Sequence, residues 1–221
     1  MLVTDQAHHK RALYLDVELT CWETQPPIGM KPAIIEIGIV EVDLEALATT
    51  REKAHFVRPR RWDISARCTE FTGISAVDIR AASPFPEVLA SIVEEFAPSK
   101  ALCCFWGDDA AIIEDACRAC GLRSPLRNLL DLAGLFHRLF LLRDQASLQK
   151  AVEILGLEFE GVPHGALADA RNTARIHADI IRRMGREPAP PTASSSHVAH
   201  QETRSEFAEK LFKSLRREQA K

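Results

Sequence analysis

The chain has 221 residues, 46% of them apolar and 27% charged, with a formal net charge of −3. Such a chain can bury a core, and no apolar run reaches the roughly 20 residues that a membrane-spanning helix needs. The N-terminus carries no apolar signal-peptide core, so we expect a cytoplasmic protein without membrane contact. No second cysteine pair follows Cys117 and Cys120 at a zinc-site spacing, so we expect the six cysteines to be free thiols.

The first predicted element is a β-strand at residues 13–19, where apolar residues occupy every second position. Side chains two residues apart project from the same face of a strand, so Asp16 and Glu18 are expected side by side. A second strand, rich in Ile and Val, is predicted at residues 33–43, and a third around residues 53–58. Together they are expected to form an antiparallel meander.

Helical and strand patterns alternate through the middle of the chain. Apolar residues at intervals of three and four predict an amphipathic helix over residues 84–96. A short strand is predicted at 101–106, followed by a helix in which Asp109, Ile112 and Ile113 share one stripe. Further helices are predicted at about 131–142, at 148–155 with Ser147 as the N-cap, and at 168–184. This order predicts an α/β fold with a mixed central β-sheet flanked by helices.

The composition changes after residue 186. We expect residues 11–186 to form the folded domain and residues 187–201, rich in Pro, Ala and Ser, to form a linker. Residues 202–221 predict a basic amphipathic helix, with six Lys or Arg against four Asp or Glu. This helix could bind RNA phosphates, dock a protein partner or pack back on the domain.

Two separated segments carry the residue types of a metal site. One holds Asp16 and Glu18; the other holds His164 and Asp169, five residues apart at the start of the last predicted helix. Carboxylates that share a site need a cation, and hard oxygen ligands suit magnesium or manganese. A histidine beside them is suited to act as a general base. This combination indicates metal-assisted phosphodiester hydrolysis.

These motifs, in this order, resemble the DEDDh 3′–5′ exonucleases of the ribonuclease H-like fold. Within that family the chain is most similar to the histone-mRNA and small-RNA exonuclease subgroup and its bacterial relatives. Three sets of segments carry the resemblance, which covers about residues 11–184. They are residues 14–18 with 20–23 and 34–38; residues 106–109; and residues 147–150 with 156–161, 164–172 and Ala174. Residues 68–74 support it.

The resemblance implies a site with two divalent cations, Mg²⁺ or Mn²⁺, held by four carboxylates. Asp16 would contact both ions, Glu18 and Asp169 one of them, and Asp109 the other, while His164 would be the general base. Relatives commonly have one more residue between the Trp-Gly pair and the metal-binding aspartate, so Asp108 is the alternative to Asp109. The spacing to Ile112 and Ile113 favours Asp109.

Other residues are expected near the substrate. Phe71, Thr72 and Ile74 resemble the segment that holds the terminal nucleotide, with core packing as the alternative. Trp22 is a candidate for stacking on a base. Glu36 is expected either behind the metal ligands or as an ordinary polar strand residue.

We therefore expect a 3′–5′ exonuclease that releases nucleoside 5′-monophosphates from single-stranded 3′ ends. The subgroup resemblance favours RNA over DNA as the nucleic-acid partner. One alternative is a DNA-trimming or proofreading exonuclease of the same fold. The other is a catalytically silent module that binds nucleic acid or a protein.

Overall fold

A computed structural model describes residues 9–60 and 64–185. The predicted linker and C-terminal helix lie outside these residues. The strands are β1 Arg11–Leu19, β2 Ile34–Asp43, β3 Ala48–Arg58, β4 Ser83–Pro84, β5 Leu102–Phe105 and β6 Asn128–Asp131. The helices are α1 Ala66–Thr72, α2 Ala76–Ala81, α3 Phe85–Phe96, α4 Asp109–Ala119, α5 Leu132–Leu139, α6 Leu148–Ile154 and α7 Ala166–Gly185, with a short 3₁₀ turn at Pro98–Lys100. None of the described helices is long and apolar enough to cross a membrane.

The strands form one mixed sheet in the order β4-β3-β2-β1-β5-β6. β1, β2 and β3 pair antiparallel, which confirms the predicted meander. β5 then pairs parallel to β1, and β6 pairs parallel to β5. β1 therefore lies inside the sheet with a neighbour on each side, and residues near its C-terminal end come close to the segment that follows β5.

Both faces of β1 are buried, as expected of a central strand covered by helices on both sides. Leu13, Leu15 and Val17 pack in a core that also contains the apolar faces of α3 and α4. Ala12 and Tyr14 face the other side, in a core shared with Ala170 and Ala174 of α7 and with Leu132 of α5. The alternation predicted from the sequence is thus confirmed, and the even-numbered residues of β1 face α7.

The helix predictions differ from the structure mainly at their ends. The predicted helix over 84–96 is found at Phe85–Phe96, and Ser147 caps α6 by accepting a hydrogen bond from the Lys150 backbone. The helix predicted from about 131 begins at Leu132, because residues 128–131 pair with β5 as an edge strand. Neither this strand nor the short helices α1 and α2 were predicted from the sequence pattern. The cysteines are free thiols, as expected.

The described residues up to Asp179 form one compact unit, and a second unit begins at Ile180, within α7.

Candidate active site

Two adjacent strands present acidic side chains on neighbouring positions. In the antiparallel pairing of β1 and β2, Asp16 lies opposite Gly38, and Glu18 lies opposite Glu36. Glu18 and Glu36 are both buried, at 8% and 7% exposure. Because they share a face with Tyr14, these carboxylates lie on the side of the sheet that α7 covers.

The start of α7 lies directly on the backbone of β2. A Cβ atom added to Gly38 would come within 3.0 Å of backbone atoms of Ala166 and Leu167, closer than real Cβ atoms come. Glu36 accepts a hydrogen bond of 2.9 Å from the backbone N–H of Ala166. A carboxylate at this point satisfies one of the free N–H groups that begin a helix. Gly38 and Glu36 thus hold the first turn of α7 against the sheet.

This contact brings Asp169, in the first turn of α7, to the carboxylates of β1. Glu18, His164 and Asp169 each offer a ligand atom, and the three atoms lie within 4.8 Å of one another. Asp169 Oδ1 is buried and has no hydrogen-bond partner among the described residues. A buried acceptor of this kind is normally paired, and a cation would satisfy it.

Electrostatic repulsion links the other acidic side chains to the same site. Burial raises the pKa of Asp16 well above its ordinary value, with further contributions from Asp109, Asp169, Glu18 and Glu36. Burial also raises the pKa of Glu18 to about 8, assisted by the charges of Asp169, Glu36 and Asp109. Carboxylates that disfavour one another's charge in this way are stabilised by bound divalent ions. Their oxygen donors fit Mg²⁺ or Mn²⁺.

The structure distinguishes the two adjacent aspartates before α4. Asp109 is partly buried, and burial together with Asp108 and Asp169 raises its pKa to about 7. Asp108 is exposed, and it is not among the carboxylates that raise the pKa of Asp16. Ile113 of the same helix is buried in the core, as the predicted stripe requires. This placement favours Asp109 as the member of the carboxylate cluster.

Asp131, which the sequence pattern did not indicate, holds the backbone just before Asp109. The Asp131 carboxylate accepts a hydrogen bond of 3.2 Å from the backbone of Gly107, which has a φ of 100°. The Trp106 indole N–H donates to the carbonyl of Ala146 at 3.2 Å. Asp131 ends β6, so a four-residue edge strand that the sequence pattern did not predict supplies this anchor.

His164 lies at the rim of the site, with a φ of 64°. Its ring stacks on Phe71 of α1, with ring centroids 3.9 Å apart and planes inclined by 28°. Phe71 is 42% exposed, and the Arg67 guanidinium lies 5.6 Å from its ring centroid. The partly exposed Phe71 ring thus contacts the imidazole of His164 and lies near the guanidinium of Arg67.

The remaining predicted substrate residues have different surroundings. The Thr72 hydroxyl donates to the carbonyl of Cys68 and accepts from the backbone of Ile74. Ile74 itself is buried in the small core beneath α1 and α2. Trp22 is partly exposed in the segment that follows β1. Of the predicted segment 71–74, the Phe71 ring is therefore the part that the structure brings to the site.

The sheet order and its flanking helices match known nuclease structures. The nuclease domain of 3′hExo, a DEDDh family member bound to rAMP, superposes with a TM-score of 0.74 and 24% identity, covering 80% of this chain and 94% of that one. This likeness establishes the fold, which is ribonuclease H-like, as expected.

The sequence comparisons then identify the family. A family model described as an exonuclease, RNase T, matches residues 13–177, and the chain belongs to this family. ERI1 exoribonuclease 2 of Danio rerio is 34% identical over 189 residues, covering 74% of this chain and 34% of that protein. The 3′-5′ exoribonuclease 1 of Mus musculus is 29% identical over 186 residues, covering 76% of this chain and 52% of that protein. The chain thus spans about a third to a half of the length of these relatives, and the expected kinship with DEDDh exonucleases is confirmed.

Proposed function

We propose that this protein is a metal-dependent 3′–5′ exonuclease that hydrolyses phosphodiester bonds at single-stranded 3′ ends and releases nucleoside 5′-monophosphates. The observation that carries the proposal is the convergence of Glu18, Asp169 and His164, whose ligand atoms lie within 4.8 Å of one another. Asp16 and Asp109 interact electrostatically with the same group. Membership of an exonuclease family and relatives named as exoribonucleases support the same reaction.

The four carboxylates of Asp16, Glu18, Asp109 and Asp169 would hold two divalent cations. When bound, such ions supply Lewis-acid stabilisation of the charge that develops on the attacking and leaving oxygens. The oxygen-rich donor set and the unpartnered Asp169 Oδ1 fit this requirement. Glu36 holds the start of α7 and adds negative charge behind the ligands.

His164 would act as the general base. Its ring nitrogen takes a proton from the water that attacks the terminal phosphorus, while the bond to the 3′ oxygen of the preceding nucleotide breaks. Histidine suits this step because its ordinary pKa lies near neutral pH. The exposed Phe71 ring beside it would stack on the terminal base, a contact that tolerates any base because each has a flat face.

RNA is the proposed substrate in preference to DNA. The support is the relatives' names, exoribonuclease in zebrafish and mouse, at up to 34% identity. The physical basis of such a preference would be a contact to the 2′-hydroxyl group. The competing function, DNA trimming by the same chemistry, has support in a structural neighbour described as exonuclease X in complex with 5′ overhanging duplex DNA.

The test uses 5′-labelled single-stranded RNA and DNA of identical sequence, incubated with the full chain in Mg²⁺, in Mn²⁺ and in EDTA. The proposal expects a ladder that shortens from the 3′ end, faster on RNA, and that disappears in EDTA and in Asp16→Ala. His164→Ala should lower the rate by roughly 10² to 10⁴. No ladder on either strand would contradict the enzyme and favour a binding module, whereas a faster ladder on DNA would favour the trimming function.

The same assay separates the two adjacent aspartates. Asp109→Asn should abolish the ladder, whereas Asp108→Asn, at an exposed neighbouring position, should leave most of the rate. The reverse result would assign the metal-binding role to Asp108.

A further inference from the structure

The segment that carries His164 has no regular secondary structure of its own. Residues 157–165 connect α6 to α7 as neither helix nor strand. Gly161 has a φ of 87°, which glycine adopts readily, whereas His164 has a φ of 64°, which is uncommon for a residue other than glycine. The position of His164 must therefore depend on contacts between this segment and the rest of the domain.

Asn172 of α7 makes the most extensive of these contacts. Its side chain is completely buried. The amide oxygen accepts a hydrogen bond of 3.0 Å from the backbone N–H of Glu160, and the amide nitrogen donates to the carbonyl of the same residue at 2.9 Å. The nitrogen also donates to the carbonyl of Ala168, 2.9 Å away and one turn earlier in the helix. One planar group thus pairs with both backbone groups of a loop residue, as a neighbouring strand would.

Arg175, one turn further along α7, reinforces this connection. Its guanidinium donates to the carbonyl of Glu158 at 2.7 Å and to the amide oxygen of Asn172 at 2.8 Å. It also pairs with the Glu160 carboxylate at 3.0 Å. The two side chains therefore fix residues 158–160 on the helix, through the backbone groups of Glu158 and Glu160.

Residues 158–160 lie a few positions before His164 in the chain. Asn172 lies close to Asp169 on α7. Only Gly161, Val162 and Pro163 separate Glu160 from His164. A Cβ atom added to Gly161 would come 3.0 Å from the Ala168 Cβ, so the loop still touches α7 at this point. Asn172 thus ties the segment that carries the histidine to the helix that carries a metal-ligand candidate.

We propose that Asn172 is a positioning residue for His164, with Arg175 as its support. This proposal rests on the proposed function of His164 as general base. Asparagine suits the position because its amide both accepts and donates. An aspartate keeps the acceptor but cannot donate to Glu160 and Ala168, whereas an alanine or leucine removes a hydrogen-bond partner from the Glu160 N–H and carbonyl, the Ala168 carbonyl and the Arg175 guanidinium.

The first measurement does not depend on activity. Amide hydrogen exchange of the full chain is compared for wild type, Asn172→Ala, Asn172→Asp and Thr173→Val. Thr173 is the matched control, since it neighbours Asn172 in α7, is 1% exposed and has a hydroxyl without a partner among the described residues. Exchange at the Glu160 N–H should accelerate about tenfold or more in Asn172→Ala, less in Asn172→Asp, which keeps the acceptor of this N–H, and stay unchanged in Thr173→Val. Unchanged exchange at Glu160 in Asn172→Ala would overturn the proposal.

The second measurement is a double-mutant cycle on the rate of RNA hydrolysis. Asn172→Ala should lower kcat about tenfold with little change in KM, because the base is displaced and the substrate surface is not. On the His164→Ala background the same substitution should have less than about a twofold effect. A general loss of structure would instead lower both backgrounds equally, and that additive result would overturn the positioning role.

Arg175→Lys supplies a milder perturbation at a partly exposed residue, for the case in which Asn172→Ala fails to fold. It keeps the charge but loses the planar guanidinium, whose Nη1 donates to Glu158 and Asn172 and whose Nε pairs with Glu160, so a smaller loss of kcat is expected, again absent on the His164→Ala background. Equal losses on both backgrounds would count against the proposal. If neither the wild type nor any variant degrades RNA, the proposed function fails. The exchange rate at Glu160 would still show whether Asn172 holds the segment before His164.

Discussion

Replacing Gly38 by alanine tests how the carboxylates are brought together. The added Cβ atom would lie under 3.0 Å from backbone atoms of Ala166 and Leu167. Optimal carbon contacts are about 3.5–4.0 Å, so the first turn of α7 must move away by roughly 1 Å. Backbone atoms of a helix packed on a sheet cannot yield as a flexible side chain can. Overpacking of this kind costs about 1–3 kcal/mol of stability.

The displacement acts on the site because His164 and Asp169 flank the residues that move. A misplacement of about 1 Å can lower a catalytic rate by roughly 10². The hydrogen bond from Ala166 to Glu36 should lengthen in the same movement. We expect Gly38→Ala to lose about two orders of magnitude in kcat and to bind Mn²⁺ more weakly.

The assay combines single-turnover hydrolysis of labelled RNA, titration calorimetry with Mn²⁺ and thermal unfolding followed by circular dichroism. Gly185→Ala is the control, because a Cβ atom there, at the end of α7, meets no described atom within 4 Å. It should behave as wild type. A folded Gly38→Ala protein with wild-type rate and Mn²⁺ affinity would refute the reasoning that this contact places Asp169.

Three further predictions concern the charge and the exposed ring of the site. In the metal-free folded protein the pKa of Glu18 is raised from 4.5 to about 8, so the contribution of its protonated form to stability is lost as pH rises through 8. Tm measured in EDTA should therefore fall between pH 4.5 and about 8, and a rising Tm would contradict this. Asp16→Asn removes a carboxylate that its neighbours repel, so it should raise the metal-free free energy of unfolding at pH 8, measured by denaturant titration, while abolishing activity. A lower free energy of unfolding would count against mutual repulsion. Phe71→Ala should raise KM on single-stranded RNA roughly tenfold, with a smaller effect on kcat. The control is Val77→Ala, at an exposed apolar residue on α2, which should leave KM unchanged. Equal KM values for the two variants would exclude base stacking.

Several features of this protein follow from local sequence. The period of two in residues 13–19 predicted β1 and placed Asp16 and Glu18 on one face, and the structure confirms the strand and its alternation. The apolar spacing of α3 and the Ser147 cap of α6 were likewise correct within one residue. Such features are readable because they depend on neighbours only a few residues away.

The adjacent aspartates show where sequence reasoning reached its limit. Spacing alone favoured Asp109 but left Asp108 open. The burial of Asp109 and its electrostatic interaction with Asp16 and Asp169 support Asp109, and the two Asn variants test the choice. Asp131 was missed because β6 has only four residues and a weak pattern. A short edge strand is specified by its partner more than by its own residues.

Periodicity and motif order along the chain were enough to predict the candidate carboxylates, the histidine and most of the elements that carry them. How these groups meet depends on tertiary packing. Glu36 and Ala166, which join the sheet to α7, are 130 residues apart in the chain. The amide of Asn172 reaches back 12 residues to fix the segment before His164. Such contacts depend on the packing of a helix onto a strand, and no local pattern in either segment encodes the distance between them.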